Sequence, residues 1–284
     1  MNDYKICIIG LGNVGLDLAL NFSKKYYTIG FDIDKELIEK IKIQKKNHLK
    51  NIKKKNGLVV SHNQKMMINC DVYIVTVPTP VNKKKVPELE GIIEVTKIIS
   101  KFLSKNNIVI YESTFYPGLT EEVCIPLLEK ESKLKLNKDF YLGYSPERIN
   151  IGEEEKSSND LIKITSGSNK KASEIIDNLY NSVIKSGTYC VDSIKIAEAT
   201  KMLENCQRDL NIALMNELIK SFNLKNVQKG AAVFDLKRFN WVSSQHLAKL
   251  NDDAFIEAIH PFMEDEGIDD VAPNYKEILI AMRT

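Results

Sequence analysis

Short apolar runs alternate along most of the chain with stretches of helical apolar spacing. Lys5-Ile-Cys-Ile-Ile9 ends at a glycine cluster and reads as a buried parallel strand. Asn13 to Lys25 carries Val14, Leu18 and Phe22 on one helical face, and Tyr27 to Phe31 reads as a second strand ending at Asp32. A strand–turn–helix–strand unit of this kind fits a right-handed crossover. The alternation predicts further strands at Asp71–Val77, Asn107–Tyr111, Phe140–Tyr144 and Leu161–Thr165. Helices are predicted at Leu89–Leu103, Glu121–Glu131 and Ala172–Ile184. The expected fold class is α/β, a doubly wound parallel sheet of Rossmann-like type.

From Ser193 to Phe222 the pattern becomes one long helix without Pro or Gly, with apolar residues at Ile196, Leu203, Leu210, Leu214 and Leu218. Beyond it strand signals fade into short helical stretches with aromatic anchors. The expected organisation is a nucleotide-binding domain over 1–192, a connecting or dimerisation helix over 193–222, and a small helical tail over 223–284.

Composition narrows the functional classes. A 43% hydrophobic and 27% charged chain with net charge +2 is an ordinary globular balance, and bulk charge calls for neither nucleic acid nor an acidic membrane. Lys40 to Lys55 and Lys83-Lys84-Lys85 read as solvated surface. The opening residues lack a signal-peptide pattern, and no apolar stretch is long enough for a bilayer, so a cytoplasmic location is expected. Five cysteines and four histidines are scattered without metal-ligand spacing, so reduced thiols and no metal site are expected.

The chemistry concentrates at strand ends. Gly10-Leu11-Gly12-Asn13-Val14-Gly15 follows the first strand and opens the first helix, the arrangement in which a pyrophosphate meets a helix N-terminus. Asp32 stands about 20 residues on, where an acid holds the adenine-side ribose and repels a 2′-phosphate, favouring NAD over NADP. Three more clusters end predicted strands: Val77-Pro78-Thr79-Pro80, Glu112-Ser113-Thr114 and Tyr144-Ser145-Pro146-Glu147-Arg148. Each alone is compatible with an ordinary capped loop.

Together with Lys201-Met-Leu-Glu-Asn205 they make a set that resembles the UDP-glucose/GDP-mannose dehydrogenase family, most closely its UDP-N-acetylhexosamine 6-dehydrogenase branch. That branch makes uronic acids for surface polysaccharides. The phrases IGLGNVGLDLA, GFDID, VTVPTPVN, YESTFYPGLTEE, GYSPERIN, LIKITSGS and IAEATKMLENCQRDLNIALMNEL carry the likeness in order. The resemblance implies that Gly10, Gly12, Asn13, Val14, Gly15, Asp32, Pro78, Thr79, Ser113 and Thr114 line an NAD site. It implies that Thr114 and Glu147 hold and activate the hydrolytic water, and that Lys201 and Asn205 stabilise the oxyanion. Lys201 and Asn205 are four apart and share a helix face.

The resemblance also implies a cysteine nucleophile in a glycine-rich segment after the long helix, and then a UDP-binding domain. No cysteine follows Cys206 here. Cys206 itself, turned about 100° from Asn205 on a helix, reads as a packed thiol. From Glu217 to Asp235 and at Phe239-Asn240-Trp241 the chain instead resembles the segment after the catalytic domain of bacterial glutamyl-tRNA synthetases, with Ser243 where relatives carry Asn. Neither ATP-binding signature of those enzymes is present, which excludes aminoacylation. The chain therefore reads as a truncated dehydrogenase joined to a second fragment. Weakened UDP-sugar binding and a homodimer through the long helix are expected. An inactive NAD-binding chimera and a tRNA-associated protein are the alternatives, and the tail is too weakly basic to favour the latter.

Overall fold

A computed structural model describes residues 3–44, 56–147, 162–221 and 251, with side chains on the last helix described as far as 217. The backbone separates into two compact units, Met1–Ile219 and Lys220–Thr284. The expectations for the tail over 223–284, including its synthetase-like segment, fall outside the described residues. So do the Leu218 side chain, most of the Lys40–Lys55 stretch and Arg148.

The first unit is built on eight strands: β1 (Lys5–Ile9), β2 (Tyr27–Phe31), β3 (Gly57–Ser61), β4 (Val72–Val75), β5 (Ile108–Tyr111), β6 (Tyr141–Tyr144), β7 (Lys163–Gly167) and β8 (Thr188–Cys190). They form one sheet in the order β3-β2-β1-β4-β5-β6-β7-β8. The helices are α1 (Asn13–Ser23), α2 (Lys35–Gln44), α3 (Glu90–Ser100), α4 (Ile125–Ser132), α5 (Lys170–Asn181) and α6 (Ile194–Ser221). The chain runs outward from β1 to β3, then returns to β4 on the other side of β1, so the strand order reverses between β1 and β4. Ligands bind at such a reversal, outside the carboxyl ends of the strands.

Continuous apolar strands are needed because both faces of the sheet are covered. Side-chain alternation divides them between two cores. Cys7, Ile9, Tyr73, Val75, Val109, Tyr111, Leu142 and Tyr144 pack with Ile92, Val95 and Ile99 of α3, Leu128 of α4 and Ala197 of α6. On the other face Ile6, Ile8, Val72, Ile74, Ile108 and Ile110 meet Leu18 and Phe22 of α1, Ile38 of α2, and Ile176 and Tyr180 of α5.

The structure corrects the sequence reading at several elements. β7 runs antiparallel to β6, so the sheet is mostly rather than wholly parallel. β7 starts two residues later than expected and α5 two residues earlier. β3 and β8 were not expected at all. Both are edge strands, β3 half-buried in strict alternation and β8 three residues long with two exposed, so neither presents the apolar run of a central strand. The helix expected over Glu121–Glu131 begins as a π-helical turn at Thr120–Cys124 before α4. Ile196, Leu203, Leu210 and Leu214 of α6 lie exposed. Lys83, Lys84 and Lys85 lie exposed in a turn organised by Asn82, whose Oδ1 accepts from the Lys84 and Val86 amides. Among the described residues no helix is long and apolar enough to cross a membrane.

The close seat of α1 on β1 depends on Gly15. A Cβ there would lie 1.8 Å from the Gly10 carbonyl oxygen and 2.4 Å from Thr76 Oγ1. Gly15→Ala is expected to destabilise this unit by about 1–3 kcal/mol or more, through forced backbone displacement. The check is the urea midpoint followed by circular dichroism.

Candidate functional site

The turn between β1 and α1 is shaped by its three glycines, each for a different reason. Gly10 has φ +94°, a conformation that disfavours any side chain, and a Cβ would press the Thr76–Val77 peptide at 3.1 Å. Gly15 permits the helix-on-strand contact described above. Gly12 is different: a Cβ there would meet nothing within 4 Å. Its lack of a side chain therefore serves no packing need of the chain and leaves room outside it. Gly12 is the N-cap of α1 without a side-chain cap, and no acidic residue occupies the first turn. The amides of Asn13, Val14 and Gly15 are thus the open donors at a helix N-terminus, suited to a phosphate anion.

Asp32 closes the other side. Its Oδ2 accepts from the Leu11 amide at 2.7 Å and its Oδ1 from the Asp34 amide at 2.9 Å, so the carboxylate is fixed beside the glycine turn. A cavity of about 250 Å³ runs from there between Ile33, Val77, Pro78, Glu94 and Ile98. Among these, the sequence pattern had singled out Val77 and Pro78, together with Asp32. Glu94 and Ile98 went unnoticed because helix α3 shows only core periodicity, and Ile33 because a single exposed apolar residue after a strand carries no signal. Thr76 was also missed: its Oγ1 donates to the Gly10 carbonyl at 2.7 Å and holds the turn from below. A hydroxyl at the end of an apolar strand was the only signal.

The second cluster lies where β4, β5 and β6 end. Thr79 Oγ1 donates to the Thr114 carbonyl at 2.7 Å, and Ser113 Oγ donates to the Val77 carbonyl. Tyr144 Oη donates to the Ser113 carbonyl at 3.0 Å. The Ser113 hydroxyl proton is thereby committed to tying two loops together, whereas Thr114 is exposed between buried Ser113 and Phe115. Glu147 follows β6, and its Oε2 accepts from Lys163 Nζ at 3.2 Å.

Helix α6 supplies the third side. Lys201 is 7% exposed, and burial pulls its ammonium below the usual lysine range, with Glu204 opposing. Its ammonium lies 3.8 Å from Glu204 Oε2, with Arg208 disfavouring and Glu147 more weakly favouring its charge. Asn205, one turn on, is half-buried.

The sequence reading passed over Glu198, three residues before Lys201. Its buried carboxylate accepts from the Gly118 amide at 2.6 Å, the Thr120 amide at 3.0 Å and the Thr120 hydroxyl. Burial raises its pKa, and those three bonds oppose the rise. Glu198 thus fastens α6 to the loop that carries Thr114. Its i, i+3 spacing from Lys201 was the available clue.

Cys206 is exposed, not packed as expected, because its position one residue past Asn205 turns it off the buried face of α6. All five cysteines are free thiols. Among the described residues no group of His, Cys, Asp and Glu could hold a metal ion.

Residues 4–184 match the UDP-glucose/GDP-mannose dehydrogenase family, NAD binding domain. The chain belongs to this family. It is 45% identical over 237 residues to UDP-N-acetyl-D-glucosamine 6-dehydrogenase of Pseudomonas aeruginosa, covering 82% of this chain and 56% of that protein. It is 42% identical over 221 residues to Protein CapL of Staphylococcus aureus, covering 77% and 52%. Among solved structures, the UDP-D-ManNAc dehydrogenase of Pyrococcus horikoshii superposes with a TM-score of 0.67 at 31% identity, over 75% of this chain and 53% of that one. The chain thus spans about half the length of the curated relatives it matches. The glycine turn, the void beside Gly12 and the fixed Asp32 fit NAD.

Two measurements check this. Calorimetry should show NAD binding more tightly than NADP, and Asp32→Ala should narrow the difference, because the carboxylate repels a 2′-phosphate. Gly12→Ala should weaken NAD at least tenfold while changing unfolding by less than about 1 kcal/mol, since the new Cβ meets the ligand and not the protein.

Proposed function

We propose that this chain is the NAD-binding part of a UDP-N-acetylhexosamine 6-dehydrogenase, working in the cytoplasm on precursors of surface polysaccharide. The observation that carries the reading is Lys201: a buried ammonium on α6, sharing a helix face with Asn205 and feeling the Glu147 carboxylate. A solvated helix lysine has no reason to be desolvated in this way.

In this reading Gly10, Gly12, Asn13, Val14, Gly15 and Asp32 hold NAD, with Pro78, Thr79, Ser113 and Thr114 along the nicotinamide side. Bound NAD supplies the hydride acceptor for oxidation at the sugar C6. Lys201 and Asn205 donate hydrogen bonds to the oxygen that becomes negative as the alcohol is oxidised. Burial makes the Lys201 proton easier to share and raises the worth of its charge. Thr114 and Glu147 hold the water that completes hydrolysis, with Glu147 taking its proton. Glu198 keeps the Thr114 loop and α6 at a constant separation.

The reading meets a chemical limit in these 284 residues. Carrying an aldehyde to an acid by this route needs a thiolate to form the tetrahedral adduct, and no cysteine follows Cys206. Binding NAD without completing turnover is accordingly the second reading for this polypeptide. Incubated with NAD and several UDP-N-acetylhexosamines, it is expected to give no uronic acid by mass spectrometry. Two NADH per sugar with uronic acid formed would overturn that expectation. Loss of this activity in Cys206→Ala would further identify the exposed thiol as the nucleophile.

The proposed oligomer is a homodimer through α6. Ile196, Leu203 and Leu210 repeat every seven residues and are 47%, 63% and 62% exposed, an apolar stripe suited to a second copy. Sedimentation velocity should give a dimer for the parent and a monomer for Leu203→Glu/Leu210→Glu. A monomeric parent would remove the proposal.

A further inference from the structure

Behind Glu147 the proposed mechanism leaves unused a buried ionic cluster, where β5 and β6 end and β7 begins. Lys163 Nζ donates to Glu112 Oε2 at 2.7 Å and to Glu147 Oε2 at 3.2 Å. Tyr180 of α5 donates its hydroxyl to the other Glu112 oxygen, and its ring lies 5.6 Å from the Lys163 ammonium. Side-chain exposure rises along the cluster from 0% at Glu112 through 5% at Lys163 to 15% at Glu147. One end is sealed in the core, and the other faces the field of Lys201.

This arrangement follows from the one strand that breaks the parallel pattern. Gly143 pairs with Gly167 and Tyr144 with Ser166 in the antiparallel ladder of β6 and β7. Continuing that register sets Lys163 directly across from Glu147, as cross-strand neighbours on one face. The Ser145 hydroxyl, donating to the Ile164 carbonyl at 2.7 Å, holds the strands together between the ladder and this pair. A parallel β7 would not place its first residue opposite the residue that follows β6.

A buried ion pair is a poor stability device, because apolar residues of similar volume do as well or better. Here one ammonium serves two carboxylates, and only one of these reaches toward the cleft. We propose that Lys163 is the positioning residue for Glu147: clamped from behind by Glu112 and Tyr180, its ammonium aims the Glu147 carboxylate at the site and keeps it ionised. The proposal rests on the role given to Glu147 above, but it concerns a property of the protein without cofactor or sugar. Burial draws the Lys163 ammonium down, but the two carboxylates outweigh it and hold its pKa above the usual value. Glu112 is raised, burial being the larger cause and Lys163 opposing it.

Among the described residues, charged and titratable groups acting on Glu147 include Lys163 from β7, Glu112 from the end of β5, Tyr180 from α5 and Lys201 from α6. Asp177 of α5 lies further along, engaged by the Thr165 hydroxyl at 2.7 Å. The signs for the two key substitutions are therefore opposite. Removing the Lys163 cation takes an opposite charge from Glu147, so its titration midpoint should rise by about one to three pH units in Lys163→Met. Removing the Glu112 charge takes away a like charge and leaves Lys163 undivided, so the midpoint should fall in Glu112→Gln.

The experiment is a carbon-detected NMR titration of the full 284-residue chain labelled at glutamate side-chain carboxyls, with Glu147→Gln assigning the resonance. Opposite shifts in the two variants, with Lys163→Arg close to the parent, are the expected result. An unchanged midpoint in folded Lys163→Met, or shifts of the same sign in both variants, would overturn the proposal. Should Lys163→Met not fold, the parent decides. Its Lys163 15Nζ resonance must move with the Glu147 step and lose that movement in Glu147→Gln, and a flat Nζ trace overturns the assignment. Because no ligand is added, failure to bind NAD or a UDP-sugar remains a separate result that bears on the proposed function alone.

Discussion

The carboxyl edge of the sheet is organised by the approach of Gly15 to the Gly10 carbonyl, the contact that seats the first turn of α1 over the end of β1. A single methyl group at Gly15 would sit inside the van der Waals radius of that carbonyl. With the contact in place, the open amides of α1 point at the position where strand order reverses, and Thr76 closes the turn from the β4 side. Asp32 can then reach the Leu11 amide, so the turn and its acid form one rigid piece.

The opposite side of the site is held by charge rather than by packing. Two buried carboxylates do this. Glu198 spends its oxygens on the Gly118 and Thr120 amides and the Thr120 hydroxyl, fixing the loop after β5 against α6. Glu112 spends its own on Lys163 and Tyr180. Unpaired, either group would be costly in the interior, so each constrains several elements at once. The proposed site groups Thr114 and Glu147 thus lie next to supports that are themselves buried. Loop residues held in this way are pre-organised without any contribution from their own flexible backbones.

Much of this was legible in the chain. The glycine turn, Asp32, and the strand-end clusters at Val77, Glu112 and Tyr144 announce themselves through local rules: apolar runs, periodicity, and residue types that only a turn or a strand end needs. The central strands and the long helix follow from the same rules. Edge strands β3 and β8 did not, because a half-covered strand carries too few apolar residues to stand out from a loop. The exposure of Cys206 was likewise invisible, since spacing tells which residues share a face but not what covers it.

The sequence by itself determined the type of fold, the cofactor and the family, because each is encoded in neighbours along the chain whose chemistry acts within a few residues. Only the tertiary structure decided which groups meet across it. The reversal of β7, which brings Lys163 opposite Glu147, depends on strand pairing between segments that no local pattern links. The role of Glu198 depends on a loop 78 or more residues earlier in the chain. Such pairings are set by where the whole sheet closes and by what the interior demands of a buried charge, and neither can be read from a short window.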